Sequence, residues 1–161
     1  MTSPKFTYTF RKLVSGTNIN EQTLLATDYL NHFNEVVMLI EMIADMPECL
    51  EDAREWTAKS YVEHFRDSTF TDRELAVFAY ENSPAQYRVP FDDTVKKIHR
   101  IIADGLKDVE RVVKTGDAEL IHHVSGNISH KLQRFIDVAS AIIHGHARTM
   151  DQAEIDSILD T

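Results

Sequence analysis

Residues 117–145 read DAELIHHVSGNISHKLQRFIDVASAIIHG, and this stretch decides the fold class. Ile121, Val124, Ile128, Leu132, Phe135, Val138, Ala139, Ile142 and Ile143 recur mostly at steps of three and four, which lines one face of an α-helix in a coiled-coil-like seam. Asp117 stands where an N-cap belongs, and Gly116 and Gly145 bracket the segment as helix ends. Gly126 inside it is either a weak point or a site of close packing. Upstream, Val95, Ile98, Ile102, Val109 and Val113 form a second helical stripe that stops at Thr115-Gly116. The connection is short enough that the two helices are expected to be antiparallel neighbours.

A third long helix is expected from Asn20 to Pro47, capped by Asn18 or Asn20. Leu25, Tyr29, Phe33, Val36, Val37, Ile40, Ile43 and Ala44 share one face of it, and its length is about 40 Å. Its opposite edge carries Asp28, Asn31 and Glu35, with His32 at the border. Residues 47–83 read as shorter helical pieces. Pro47 suits a first helical position, and Thr71-Asp-Arg-Glu74 has the spacing of a capping box. Ser83-Pro84 ends that run, and Gln86 to Pro90 are expected to form a loop. At the amino end, Phe6, Thr7, Tyr8, Thr9 and Phe10 alternate as an extended strand does. A lone strand has no sheet to join, so it lies on the bundle or meets a second copy in a homodimer. The expected fold is therefore all-α: a four-helix bundle with short helical insertions over residues 20–146, an N-terminal extended arm over 1–19, and a C-terminal amphipathic peptide over 147–161.

Composition bounds the function. The 161 residues suit one domain, and 17 Lys+Arg against 26 Asp+Glu give a net charge of −9 with no basic block, which disfavours nucleic acid as a partner. With 5 Gly there is no room for a glycine-rich phosphate loop. The one cysteine, Cys49, cannot form an internal disulfide, which points to a reducing, cytoplasmic setting. No apolar run reaches the ~18 residues of a membrane span. Glu48, Glu51 and Asp52 around Cys49 should raise its thiol pKa and blunt it as a nucleophile. Trp56 and the methionines are expected in the core.

The most specific segment is the last. Met150-Asp-Gln-Ala-Glu-Ile-Asp-Ser-Ile-Leu159 restarts a helical period after the break at Gly145. It resembles the receiver-binding peptide of the bacterial flagellar switch protein FliM, a hydrophobic residue, Ser, Gln, any residue, Glu, Ile, Asp, any residue, Leu, Leu. Met150, Gln152, Glu154, Ile155, Asp156, Ile158 and Leu159 fall on that pattern, and Asp151 stands in place of its serine. Ile155, Ile158 and Leu159 would form the apolar stripe of a helix laid in a groove, with the acids meeting a basic rim. The same segment reads otherwise as an acidic amphipathic tail that caps its own bundle.

A helical bundle followed by such a peptide is similar to the chemotaxis phosphatase CheZ, in which a tethered terminal helix captures the phosphorylated regulator CheY. The acid and glutamine four apart that serve that family are absent. Gln22, Gln86, Gln133 and Gln152 are preceded at that distance by Asn18, Asn82, Ser129 and Arg148. Asp28-Tyr-Leu-Asn31 is instead similar to the acid-x-x-Asn pair of the phosphatases CheC and CheX. There the amide orients the attacking water and the acid engages a lysine of the regulator. The resemblance implies no cofactor of this chain's own, since the Mg2+ would be carried by the receiver.

Two further constellations stand beside this one. His122-His-Val-Ser-Gly-Asn127 resembles the phosphotransfer motif His-x-Leu-Lys-Gly-Ser, with Ser125 where that family has its lysine. Asp28, His32 and Glu35, then Glu63, His64 and Asp67, then Glu119 and His122, are spaced as in carboxylate-rich metal bundles. Only one Glu-x-x-His pair is present, and the His-x-x-x-His spacing of hemerythrin-like proteins is absent. The function expected from the sequence is a cytoplasmic signalling protein that binds a CheY-like receiver, with Asp28 and Asn31 as its candidate phosphatase pair. A metal-binding four-helix bundle is the alternative.

Overall fold

The computed structural model describes residue 9 and residues 11–146. The chain is all-α. A 3-10 helix, Thr27–Leu30, precedes α1 (Asn31–Met42), α2 (Cys49–Glu55), α3 (Tyr61–Asp67), α4 (Arg73–Glu81), α5 (Ala85–Val113) and α6 (Ala118–Ile143). Among the described residues there is no strand, only an isolated antiparallel bridge between Ile19 and Ala26. Among the described residues no helix is long and apolar enough to cross a membrane. The chain divides into two compact units. One holds residues 11–32, Lys59–Thr94 and residues 138–146; the other holds Phe33–Ala58 and Val95–Asp137.

In the first unit the expected long helix does not begin at Asn20. Asn20 does cap, since its Oδ1 accepts the amides of Gln22 and Thr23 at 2.8 and 3.0 Å, but the segment closes into a loop instead of a helix. The Asn20 amide bonds the Leu25 carbonyl at 2.9 Å, and Leu24 takes a left-handed φ of +62°. A branched residue resists that conformation, which costs roughly 1–2 kcal/mol. The surroundings offset the cost, because Leu24, Leu25 and Ala26 are wholly buried. The hydroxyl of Thr23 donates to the Ile143 carbonyl at 2.6 Å, and Ser83 Oγ donates to the Thr23 carbonyl at 2.6 Å. The first of these satisfies one of the carbonyls that the end of α6 leaves without a partner.

The amino-terminal arm is also corrected in its described part. Residues 11–14 are helical, with Val14 buried, and Thr17 bonds the Val14 carbonyl through both its amide and its hydroxyl. An extended segment there would leave its backbone unpaired, whereas the helical turn pairs it locally. The alternating residues 6–8 and 10 lie outside the described residues.

Residues 47–83 do break into short helices, with different caps from those expected. The capping box is at Ser60–Glu63: Ser60 Oγ accepts the Glu63 amide at 3.1 Å, and Glu63 Oε1 accepts the Ser60 amide at 3.3 Å. Asp72, the N-cap of α4, lacks the extended backbone that a cap needs and makes no side-chain cap bond. The loop expected from Gln86 to Pro90 is helix, since α5 starts at Ala85 and carries Pro90 inside it. Only one amide is lost near the start of a long helix, and the amides of Tyr87 and Arg88 both reach back to the Pro84 carbonyl, at 2.9 and 3.0 Å.

In the second unit the two long stripes behave as read. Ile98, Ile102 and Val109 of α5 are buried, as are Ile121, Ile128, Leu132 and Phe135 of α6. Gly116 takes φ +71° in the turn, and Asp117 Oδ1 accepts the Leu120 amide at 3.2 Å as the cap of α6. The helices approach closely at Gly105, where an added Cβ would lie 2.8 Å from Ile128 Cγ2. Gly126 faces open space, so the close approach is at Gly105 and Gly126 is the weak point.

Candidate functional site

Asp28 and Asn31 both lie in the first unit. The 3-10 conformation brings them together more directly than an α-helix would, because residues three apart eclipse in it. The Asn31 amide closes the turn on the carbonyls of Asp28 and Tyr29. Asp28 is half-buried and Asn31 exposed, and neither side chain hydrogen-bonds another described residue. A carboxylate that only accepts and an amide that both donates and accepts thus stand on one edge with their capacity unused.

The edge is held from beneath. Tyr29 is fully enclosed and donates its hydroxyl to the Lys59 carbonyl at 2.7 Å, while His32 Nε2 accepts the Lys59 amide at 2.9 Å. Both backbone groups of one loop residue are therefore satisfied by side chains on either side of Asn31. Tyr61 Oη accepts the Ala26 amide at 2.8 Å, just before the 3-10 helix. Around these, the rings of Tyr29, Tyr61, Phe65, Tyr80 and Phe91 form one cluster, with Tyr61 4.7 Å from Tyr80 and 4.8 Å from Phe65. Burial holds the phenols of Tyr29, Tyr61 and Tyr80 protonated well above the ordinary tyrosine range. The carboxylate of Asp28 adds to this at Tyr61, and that of Asp92 at Tyr80.

The metal-like spacings resolve into other duties. The Glu63 carboxylate serves the capping box, Asp67 pairs with Lys59 at 3.4 Å, and His64 sets its ring edge on Tyr29 with centroids 5.4 Å apart. Glu119 is exposed in the first turn of α6. Among the described residues no group of three His, Cys, Asp or Glu side chains is placed to hold a metal ion.

In the second unit, His122 is exposed and faces Asp45 Oδ1 at 3.2 Å. A carboxylate there repels a phosphoryl group instead of stabilising one. Ser125 turns its hydroxyl into the helix, to the Ile121 carbonyl at 2.6 Å. Cys49 is buried, and burial together with Glu48 and Asp52 pushes its thiol up, as the acidic neighbours led us to expect. The methionines depart from expectation. Met38, Met42 and Met46 are 60, 39 and 42% exposed, because the core-facing positions of α1 are already filled by Phe33, Val36, Val37 and Ile40.

α6 ends in a Schellman motif. The Gly145 amide bonds the Ile142 carbonyl at 3.0 Å and the His146 amide bonds that of Ala141 at 2.9 Å, with Gly145 at φ +96°. His144 Nδ1 lies 2.7 Å from the Ser140 carbonyl and adds to that terminus. The peptide residues Met150, Gln152, Glu154, Ile155, Asp156, Ile158 and Leu159 lie outside the described residues.

Thr23, Ser83 and Tyr61, which hold the loop before Asp28 and Asn31, are not marked out by the sequence. Each bonds a residue at least 35 positions away, so no local pattern announced them. No protein-family model, curated protein or solved structure matches the chain.

Proposed function

We propose that this chain is a signalling protein that captures a CheY-like receiver domain through Met150–Leu159 and acts on the receiver's phosphoaspartate through Asp28 and Asn31. The helical body would be a four-helix bundle working in the cytoplasm. The observation that carries the reading is the sequence of the last segment, seven of whose residues fall on the receiver-binding pattern. The Schellman stop at Gly145 supports it, because it ends α6 before the peptide sequence begins. Tethering raises the effective concentration of a captured receiver near the bundle, to the order of mM for a short flexible link. The unused carboxylate and amide on the 3-10 edge support the catalytic half. In that half Asn31 orients the attacking water and Asp28 engages a cation of the receiver, so the chain supplies position while the receiver brings Mg2+.

The two halves separate experimentally. Deleting residues 147–161 should abolish binding to a receiver phosphorylated with a small-molecule phosphodonor, while leaving helicity by circular dichroism unchanged. Retained affinity would refute the capture. Asn31→Ala should slow loss of the receiver's phosphate about 10-fold or more without weakening capture. An unaltered rate would remove the pair.

A further inference from the structure

Met38 and Met42 stand four apart on α1, and the Met46 amide bonds the Met42 carbonyl at 2.8 Å in the turn that follows the helix. Met38 and Met42 therefore share one side of the helix, Met46 follows just beyond its end, and all three are exposed. The core side of the same helix is filled by Phe33, Val36, Val37 and Ile40, so the methionines are apolar surface beyond what folding uses. The acids Glu35, Glu41, Asp45 and Glu48 lie along the same stretch, all exposed; Glu41 accepts the Ser129 hydroxyl and Asp45 faces His122 at 3.2 Å, while Glu35 and Glu48 make no ion pair among the described residues. From residue 33 to residue 53 there is no Lys or Arg. The first cation beyond, Arg54, is engaged by Glu51 at 3.3 Å and Glu110 at 2.8 Å.

We infer that this methionine surface is the docking site of a basic amphipathic helix from another protein. Flexible, polarisable thioethers adapt to apolar anchors of different shape, and anchors four residues apart meet Met38 and Met42 at the same repeat. The acids along the stretch select the partner's sign. A second copy would set acid against acid, and this chain's own last segment, with Asp151, Glu154, Asp156 and Asp160, has the same charge. An anionic membrane is disfavoured for the same reason. The inference does not depend on receiver capture.

The test uses the full chain and a fluorescein-labelled 18-residue peptide of leucine and lysine, with leucines repeating at steps of three and four. Fluorescence anisotropy should show saturable binding. Met38→Gln/Met42→Gln, which keeps every charge and a good helix former at both surface sites, should weaken it about 10-fold or more. A scrambled peptide of the same composition should bind no better than that variant, and deletion of residues 147–161 should leave the affinity intact. Equal binding by the variant or by the scrambled peptide would reduce the effect to bulk charge and overturn the inference, as would no binding at all. A dimer in sedimentation that Met38→Gln/Met42→Gln dissolves would assign the methionine surface to self-association instead.

Discussion

Replacing Thr23 by valine keeps the outline of a side chain that is wholly buried and removes only its hydroxyl. That hydroxyl donates to the Ile143 carbonyl at 2.6 Å and accepts the Leu25 amide at 3.3 Å. Valine leaves both backbone groups enclosed and unpaired, and each such group costs about 1–3 kcal/mol. The Leu25 bond is long, so it belongs at the low end of that range, and the added methyl returns about 0.8 kcal/mol of apolar transfer. A net loss of about 1–3 kcal/mol follows, a sizeable share of the 5–15 kcal/mol typical of a domain. Urea titration followed by far-ultraviolet circular dichroism measures it, with m unchanged if the loss is one of stability alone. Thr23→Ser keeps the hydroxyl and should lose clearly less. A Thr23→Val chain within about 0.5 kcal/mol of the original would refute the role of Thr23 as the partner of the α6 terminus. So would a Thr23→Ser chain that falls equally far.

The two helix glycines should respond with opposite signs. Gly105→Ala drives a Cβ to 2.8 Å from the branched Ile128 and should cost about 1–3 kcal/mol, whereas Gly126→Ala meets nothing within 4 Å and should gain up to about 1 kcal/mol. Thermal melts that move the same way would refute the close approach. His99 supplies a pH test. Its Nε2 is enclosed with no hydrogen-bond partner among the described residues, its ring meets Phe33 with centroids 5.5 Å apart, and burial lowers its pKa. The unfolded chain then binds a proton that the folded chain does not, so stability is unaffected above about pH 6.5 and falls below it, by no more than about 1.4 kcal/mol per pH unit. Between pH 7.5 and 5.5 the original chain should lose more stability than His99→Phe, and equal losses would show that the ring is protonated freely when folded.

Much of the helical scaffold is legible in the sequence because its cause is local or periodic. The stripes of α5 and α6, the caps at Asp117 and Gly145 and the acids around Cys49 each act within a few residues of where they are read. That Asp28 and Asn31 share an edge follows from their spacing, since residues three apart stack in a 3-10 helix as they nearly do in an α-helix. Residues 20–26 carry the same apolar period and yet are not helical. There, bonds from Thr23 to Ile143, from Ser83 to Thr23 and from Tyr61 to Ala26 outweigh the local preference, and they hold Leu24 at a φ that its own side chain opposes.

The sequence by itself therefore determined the all-α class, the faces of the two longest helices and where they stop, because these follow from periodicity and from side chains acting on adjacent backbone. Only the tertiary structure decided which segment leaves the helix at residues 20–26, which glycine is crowded and which methionines stay in solvent. Those outcomes depend on partners distant in the chain: Ile143 for Thr23, Ile128 for Gly105, and for Met38 and Met42 a core already filled by the opposite face of their own helix.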